Sequence, residues 1–395
     1  MREVVILSSV RTAGGAFGGS LKNMSVVDLG VHAARGAVRR SGVAPEHFDE
    51  TVIGNGWQAA VGPNSARLIS VGAGLPVEVP AYTINKRCGS SLKAAALGAQ
   101  AIRAGDADIV LAGGAESTTN VPYVQPGARW GNRFGHAEFL DLIYKDGYMC
   151  PLAGELMGNT AENLAERYNI GREEQDAYAL ESQEKSAAAI AGGKFAAEIV
   201  PVELKGRKGE VNSFGADETP RGGLSIEKLG KLKPVFNDHG SVTAGNACTQ
   251  ADAGSALVLA SRERADELGA KPIAVLKGYA STGVEPRFMG LGPVTAIPGA
   301  LERAGLALGD MDLIEVNEAF AVQVIACERE LGWDREKLNV HGGAIALGHP
   351  VGATGGKLLA TCLSALEQRG GEFGVVSACI GGGQGVAVVV QRIAA

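Results

Sequence analysis

The chain has no excess of positive charge. Its 395 residues hold 37 Lys and Arg against 43 Asp and Glu, a net charge of −6, with a pI of about 5.7. That balance excludes the broad basic field that holds nucleic acid or an anionic membrane, so any anionic ligand needs a local site. Cysteine is sparse and scattered, at 88, 150, 248, 327, 362 and 379. No C-x-x-C spacing suggests zinc, and a chain this long with so few thiols is not a disulfide framework. Long apolar runs are missing too, so no segment reads as a membrane span. The opening residues Arg2–Leu7 go straight into a strand pattern with no leader pattern. Together these absences predict a cytoplasmic protein with reduced thiols, no metal and no nucleic-acid or membrane partner. The usual nucleotide motifs also fail. Gly352-Ala353-Thr354-Gly355-Gly356-Lys357 hints at a phosphate loop, but its glycines are misplaced and Leu358 stands where Ser or Thr belongs. Gly14–Gly19 does not match G-x-G-x-x-G.

What is abundant is glycine, 57 residues, about twice the usual share of roughly 7%. It falls between apolar runs, which marks tight turns and close backbone approaches. Short apolar strands alternate with amphipathic helices. Strand patterns at Val4–Ser8, Thr51–Gly54 and Tyr82–Ile84, and one at 108–112 closed by Gly113-Gly114, interleave with helices at Val26–Arg40, Asn64–Val71 and from Cys88 to Ala104. This predicts an α/β fold with a mainly parallel or mixed sheet covered on both faces. Residues 119–247 break the pattern. They gather aromatic and charged residues around two helices, with 206–233 reading as loop. A second series then runs through strands at 272–279 and 313–316, helices at 318–331 and 353–368, and closing strands at 374–378 and 385–390. Its order resembles the first, which predicts two related halves: 1–118 with 248–270, and 271–395, around an inserted loop domain at 119–247.

Cys88 sits where a strand hands over to a helix start, in Asn85-Lys86-Arg87-Cys88-Gly89-Ser90. Unpaired N–H groups and the helix dipole favour an anion there, so the thiol is expected to ionise readily, helped by Lys86 and Arg87. Four other stretches carry reactive or polar groups: Asn317-Glu318-Ala319-Phe320, His341–Pro350 with His349, Cys379–Gly385, and Val242–Cys248. Each is expected at the C-terminal end of a strand, where open α/β sheets bind ligands. Two thiols and a histidine suit acyl transfer through a thioester, with one thiolate attacking a carbonyl and a histidine taking its proton. The second thiol suits acid–base work, and the bare backbone at Gly381–Gly383 suits an oxyanion. Singly, each stretch has a plainer explanation. His-Pro is often a turn, Asn317 could cap a helix with Glu318 in its first turn, and a glycine run is often a turn.

Jointly they resemble the thiolase family over nearly the whole chain. The match is carried by Asn85–Ser90, Met157–Asn163, Thr243–Ala247, Met289–Pro293, Asn317–Phe320, Gly342–Pro350 and Cys379–Gly385. The resemblance implies a five-layered α/β/α/β/α fold. It implies that Cys88 accepts the acyl group, that His349 activates it and shares one oxyanion hole with a water held by Asn317, and that Cys379 moves the proton at the substrate α-carbon. The N–H groups of Cys88 and Gly381 would form the second oxyanion hole. The implied reaction joins acyl-CoA and acetyl-CoA to 3-ketoacyl-CoA, or reverses that by thiolysis, most simply as an acetyl-CoA C-acetyltransferase. No cofactor is implied beyond the coenzyme A thioester substrates, and the family forms homodimers or homotetramers. Met157 and Met289 match positions that narrow the acyl pocket, and Arg221 matches a CoA-contacting arginine. Phe236, Ala244 and Phe320 are assigned to the same substrate and CoA surface.

Three residues depart from the family pattern. Leu156 stands where His is common, Cys248 where Ser is common, and Ser91 where Gly is usual. They leave the catalytic groups in place but bear on the substrate. A thiolase for longer or unusual acyl chains, and a non-catalytic acyl-CoA-binding subunit, are the competing expectations.

Overall fold

The first strand, β1 (Val4–Arg11), lies at the middle of the sheet rather than at an edge. The computed structural model describes residues 2–206 and 210–394. After β1 come α1 (Val26–Ser41), β2 (Glu50–Gly54), α2 (Ser65–Gly72), β3 (Ala81–Ile84), α3 (Ser90–Ala104) and β4 (Ile109–Ser117). A long excursion containing α4 (Met157–Tyr168) and α5 (Arg172–Ala191) precedes β5 (Ala251–Ser261). The second series is β6 (Ala274–Gly283), α6 (Gly292–Ala304), β7 (Leu313–Val316), α7 (Ala321–Leu331), α8 (Ala344–Leu347), α9 (Thr354–Arg369), β8 (Phe373–Ile380) and β9 (Gln384–Arg392).

Strand order is β7-β8-β9-β6-β1-β5-β4-β2-β3. Read outward from the centre, each half repeats the same topology. β1 and β6 are followed by β5 and β9, then β4 and β8, then β2 and β7. An isolated parallel bridge, Ile314 to Leu338, stands beside β7 where β3 stands beside β2. The sheet is mixed: β2 runs parallel to β3 and β4, and β7 to β8, while the five pairs toward the centre are antiparallel. Within the sheet, the central strands of the two halves pair at Val5–Val275 and Ile6–Ala274 among the described residues.

Three apolar cores define five layers. α1 and α2 cover the outer face of the first half with Ala33, Ala37 and Ile69. Central helices α3 and α9 supply Leu92, Ala95, Leu359 and Cys362, packed against strands of both halves. α6, α7 and part of the excursion cover the second half. The central layer is thin because its residues are small. α3 reads SSLKAAALGAQAIRA, and small residues let helix and sheet backbones approach. Burying a side chain such as Leu92, fully inaccessible, is worth about 1.5–3 kcal/mol. α1 is closed by a Ser25–Asp28 capping box and stopped at Gly42 in the left-handed region.

Two expectations need correction. Gly113-Gly114 does not end β4, which runs on to Ser117. A β-carbon on Gly114 would meet the Gly352 carbonyl oxygen at 2.0 Å, so these glycines serve close packing inside a strand. Within 206–233, read as loop, residues 207–209 lie outside the described residues. The remainder holds Val211–Phe214, paired antiparallel to Val202–Lys205, and a helical turn at Ile226–Gly230. The excursion is tied to β1 by fully buried Arg11, which donates to Glu198 at 2.6 Å and to both Asp217 oxygens at 2.7 and 2.9 Å. Such a buried pair costs desolvation but fixes one arrangement, since losing one partner strands a charge.

Candidate active site

Cys88 lies in a single tight turn, Arg87–Gly89, between β3 and α3. Arg87 takes a left-handed backbone, φ 46, and Ser90 locks the turn by accepting from Lys86 N–H at 2.9 Å and donating to the Arg87 carbonyl at 2.7 Å. The Arg87 guanidinium stacks on Trp57, 4.4 Å from its ring, and donates to the Gly56 carbonyl at 3.0 Å. Lys86 is drawn away to Gln384 Oε1 at 2.5 Å. The thiol packs beside Trp57, Ile143 and Val351. Burial pushes it above the ordinary thiol range, while Arg87 and the N–H groups of Gly381 and Cys88 itself pull it back. The net direction is upward, which corrects the expected ready ionisation. Here burial outweighs the N–H groups, so Cys88 rests as a thiol and needs a base.

The ring protonation of His349 follows from its neighbours. Thr354 Oγ1 donates its one hydrogen to the Pro350 carbonyl at 3.0 Å. In that arrangement it accepts from His349 Nδ1, 2.6 Å away. Nδ1 carries the proton, and Nε2, which has no partner among the described residues, keeps its lone pair. Burial, then Arg87 and Lys357, push His349 down to about 3, so the imidazole is neutral across the physiological range. The two central helices begin side by side. Ser91 Oγ accepts the Gly356 N–H in the first turn of α9 at 2.8 Å, linking the helix that follows Cys88 to the one that follows His349. That is the effect of Ser91 in place of glycine.

Residues 246–249 thread between the other two loops. Cys248 N–H donates to the Ala319 carbonyl at 3.0 Å, Ala321 N–H to the Asn246 carbonyl at 2.8 Å, and His349 N–H to the Thr249 carbonyl at 2.7 Å. This stretch leads into β5 rather than following a strand, contrary to expectation. β5 is antiparallel to β4, so its start still lies beside the C-terminal end of β4. Cys248 faces Cys88, and burial followed by that neighbour pushes its thiol up to about 12. Cys379, 1% exposed near the end of β8, lies close to both and is raised well above the ordinary range, first by burial. Asn317 is fully buried, its N–H on the Ser377 carbonyl at 2.9 Å and its amide atoms unpartnered among the described residues. Neither Asn317 nor Glu318 caps a helix. Glu318 accepts from Tyr178, Ser182, Asn339 and Ile345 at 2.8–3.1 Å and so holds this loop against α5 and α8.

The pocket residues divide into two groups. Met157, Phe236, Met289 and Phe320 share one apolar cluster with Cys379. A β-carbon on Gly381 would meet Met157 Sδ and Cε at 3.1 Å, so Met157 lies directly over the Gly381 backbone. Phe236 lies on Gly158 and meets Phe320 edge-on, ring centres 6.4 Å apart. Leu156 is partly buried just before α4, in a two-residue ladder with Met149. Arg221 and Ala244 are exposed and adjacent, joined by an Arg221 guanidinium contact to the Ala244 carbonyl at 3.4 Å, and stand apart from the apolar cluster. Not singled out from sequence are Thr354, Glu116 and Tyr148, which borders Cys88 and Cys248. Glu116 accepts from Asn55, Gly56 and Gly352 at 2.6–2.8 Å, joining the Trp57 loop to the residues after His349. A thiol above its usual range, a neutral imidazole that shares Arg87 as a neighbour, and a second thiol close to the first are equipment suited to acyl transfer through a thioester.

Comparison with known proteins agrees. The family model "Thiolase, N-terminal domain" matches residues 4–263 and "Thiolase, C-terminal domain" residues 270–392. The chain belongs to the thiolase family and is an acyltransferase. It is 50% identical over 392 residues to an acetyl-CoA acetyltransferase of Pseudomonas aeruginosa, covering 99% of this chain and 100% of that one. It is 48% identical over 394 residues to the acetyl-CoA acetyltransferase of Escherichia coli, with 100% of both chains covered. Among solved structures, the Bacillus anthracis acetyl-CoA acetyltransferase superposes with a TM-score of 0.97 at 43% identity, covering 100% of this chain and 99% of that one. Human mitochondrial 3-ketoacyl-CoA thiolase in complex with CoA gives 0.95 at 42% identity, over 99% and 98%.

Proposed function

We propose that the protein is an acetyl-CoA C-acetyltransferase working through an acyl-Cys88 intermediate. His349 Nε2 takes the Cys88 proton as the sulfur attacks the thioester carbonyl, and CoA leaves as its thiol. The N–H groups of Cys88 and Gly381 receive the negative charge that develops on that carbonyl oxygen. Cys379 gives its proton to the departing CoA sulfur and, as the resulting thiolate, removes one from the methyl of acetyl-CoA, while His349 keeps the Cys88 proton on Nε2. His349 and a water held by Asn317 stabilise the enolate oxygen. The carbon attacks acyl-Cys88, which expels the thiolate and gives 3-ketoacyl-CoA. Thiolysis is the reverse. The observation that carries this reading is the Thr354 hydroxyl set between the Pro350 carbonyl and His349 Nδ1, an arrangement that puts the ring proton on Nδ1 and leaves Nε2 as a base for a thiol that burial keeps protonated. Met157 lying on Gly381 supports short acyl groups. CoA then runs out over Arg221 and Ala244, and Cys248 lines its path. Residues 119–247 act as the loop domain that carries this surface.

Labelled acetyl-CoA is expected to leave its acetyl group on the Cys88 peptide and to leave none there in Cys88→Ser. Cys379→Ala is expected to keep that acetylation and lose condensation. Label on another residue, or unchanged condensation, overturns the assignment. Likeness to a human 3-ketoacyl-CoA thiolase and the apolar Leu156 favour a second reading, longer acyl chains, and a thiolysis series over chain length separates the two. Exposed Tyr123, Trp130, Phe134 and Phe139, the last three 69–100% accessible, support a homodimer or homotetramer that covers them. No described helix is long and apolar enough to cross a membrane, and six free cysteines suit a cytoplasmic enzyme.

A further inference from the structure

β7 alternates its side chains, as a strand must. Ile314 and Val316 join the outer core, and Leu313 faces the central helices. Glu315 shares the Leu313 face and is 1% exposed, with neither carboxyl oxygen partnered among the described residues. Asn317 comes two residues later in the same alternation, with its amide equally unpartnered. Leaving a buried polar group unsatisfied is costly, so four such atoms on neighbouring side chains call for partners in the space they share. They border a cavity with room for about one water, lined also by Thr354, Lys357, Thr361 and Gly348.

The three α9 residues form a polar stripe at i, i+3 and i+7. Thr354 and Lys357 belong to the stretch whose glycines and lysine hinted at a phosphate loop. In the folded chain, Lys357 is 3% exposed and donates to the carbonyls of Leu347 and Gly348, just ahead of His349. Two of its three hydrogens are thereby used; Asp217 Oδ1 lies 3.9 Å from Nζ, beyond hydrogen-bond distance, so the third hydrogen has no hydrogen-bond partner among the described residues.

We propose that Glu315 is a positioning residue for Asn317, acting as a neutral carboxylic acid through one buried water that both side chains share. The proposal rests on the reading of Asn317 given above. Glu315 O–H and Lys357 N–H are donors, so they fill the two lone pairs of the water. Its hydrogens are left for acceptors, one of which is Asn317 Oδ1. That fixes the amide with Nδ2 toward the substrate side, where it donates to the water or oxygen being held. An ionised Glu315 would take a water hydrogen and release this orientation. Burial pushes Glu315 well above the usual carboxylate range, and nearby Glu198 and Glu318 push the same way, with Lys185 opposing. Cys362 and Lys357 face it from α9.

Glu315→Gln keeps a donor and the same shape, and Glu315→Leu keeps only the volume. Glu315→Leu is expected to lower kcat for condensation about tenfold or more, with KM and the rate of Cys88 acetylation unchanged. Glu315→Gln is expected to restore kcat to within about threefold. Wild-type kcat in Glu315→Leu overturns the positioning role, as does equal loss in both variants. Wild-type condensation in Asn317→Ala sinks the reading of Asn317 and this proposal with it, whereas slow Asn317→Ala beside a wild-type Glu315→Leu sinks this proposal alone. Two measurements do not depend on a folded Leu variant. Infrared difference spectra of wild type against Glu315→Gln should show the carbonyl stretch of a protonated carboxyl at neutral pH. A high-resolution crystal structure should show a water bonded to both side chains. A carboxylate band, or a cavity without that water, refutes the proposal.

Discussion

Thr354→Val tests the tautomer argument directly. Valine has nearly the shape of threonine, so packing at this buried site changes little, but two hydrogen bonds go. The Pro350 carbonyl loses one of two donors, keeping the Ala353 N–H at 2.8 Å, and His349 Nδ1 loses its partner at 2.6 Å. An Nδ1–H left without a partner in a buried site costs about 1–3 kcal/mol. The ring escapes that cost by carrying its proton on Nε2, which removes the lone pair that Cys88 needs. The active form is then the disfavoured tautomer by up to that amount, which is about 5- to 150-fold in rate at 1.36 kcal/mol per tenfold. The rate to follow is single-turnover acetylation of Cys88 by acetyl-CoA, by rapid quench and mass spectrometry. Because His349 titrates at about 3, the loss should be uniform from pH 6 to 8, and Thr354→Ser should recover most of it. Nitrogen NMR of labelled histidine should show the proton on Nδ1 in wild type and on Nε2 in Thr354→Val. Acetylation of Thr354→Val at the wild-type rate, with the protein folded, refutes the reasoning.

Two further outcomes follow from other parts of the site. Burial lifts Glu116 to about 7 from 4.5, so the folded state binds more protons than the unfolded chain between those values. Its stabilising contribution is full below about pH 4.5 and is lost as pH rises to about 7, on the order of 3 kcal/mol. Denaturant titrations should show that decline in wild type and a flatter profile in Glu116→Gln. In Gly158→Ala, the added carbon would lie 2.2 Å from the Phe236 ring. Overpacking of that kind costs about 1–3 kcal/mol, so a lower thermal midpoint and a raised KM for acyl-CoA are expected from calorimetry and steady-state rates.

Local order carried the sequence reading a long way, and it failed where partners are distant. Alternating apolar strands and helices predicted the element order of both halves, because each element is specified by its own periodicity. The end of β4 was misplaced because Gly113 and Gly114 owe their place to backbone from Ser255 and Gly352, which no local pattern encodes. Cys88 was correctly placed at a strand-to-helix turn, but its ionisation was misjudged. Local N–H groups are visible in sequence, whereas the burial that outweighs them comes from Trp57, Ile143 and Val351. Ser91 and Gly356 are 265 positions apart, and Glu116 and Gly352 are 236 apart, so their hydrogen bonds leave no trace at the level of a motif. Thr354 lay inside the rejected phosphate-loop stretch, and only the proximity of Pro350 and His349 gives its hydroxyl a role.

The thin seam between β1 and β6 bears on when this protein becomes active as it folds. Two residue pairs of sheet hydrogen bonding cannot hold the halves. α3 and α9 do that, by burying Leu92, Leu359 and their neighbours between the two sets of strands. Closing such long-range contacts requires a large loss of chain entropy, so they form late. A chain with only the first half ordered has Cys88 and no base, and one with only the second half ordered has His349, Asn317 and Cys379 but no Cys88. Activity therefore arises with the final closure of the halves and disappears with its first loosening.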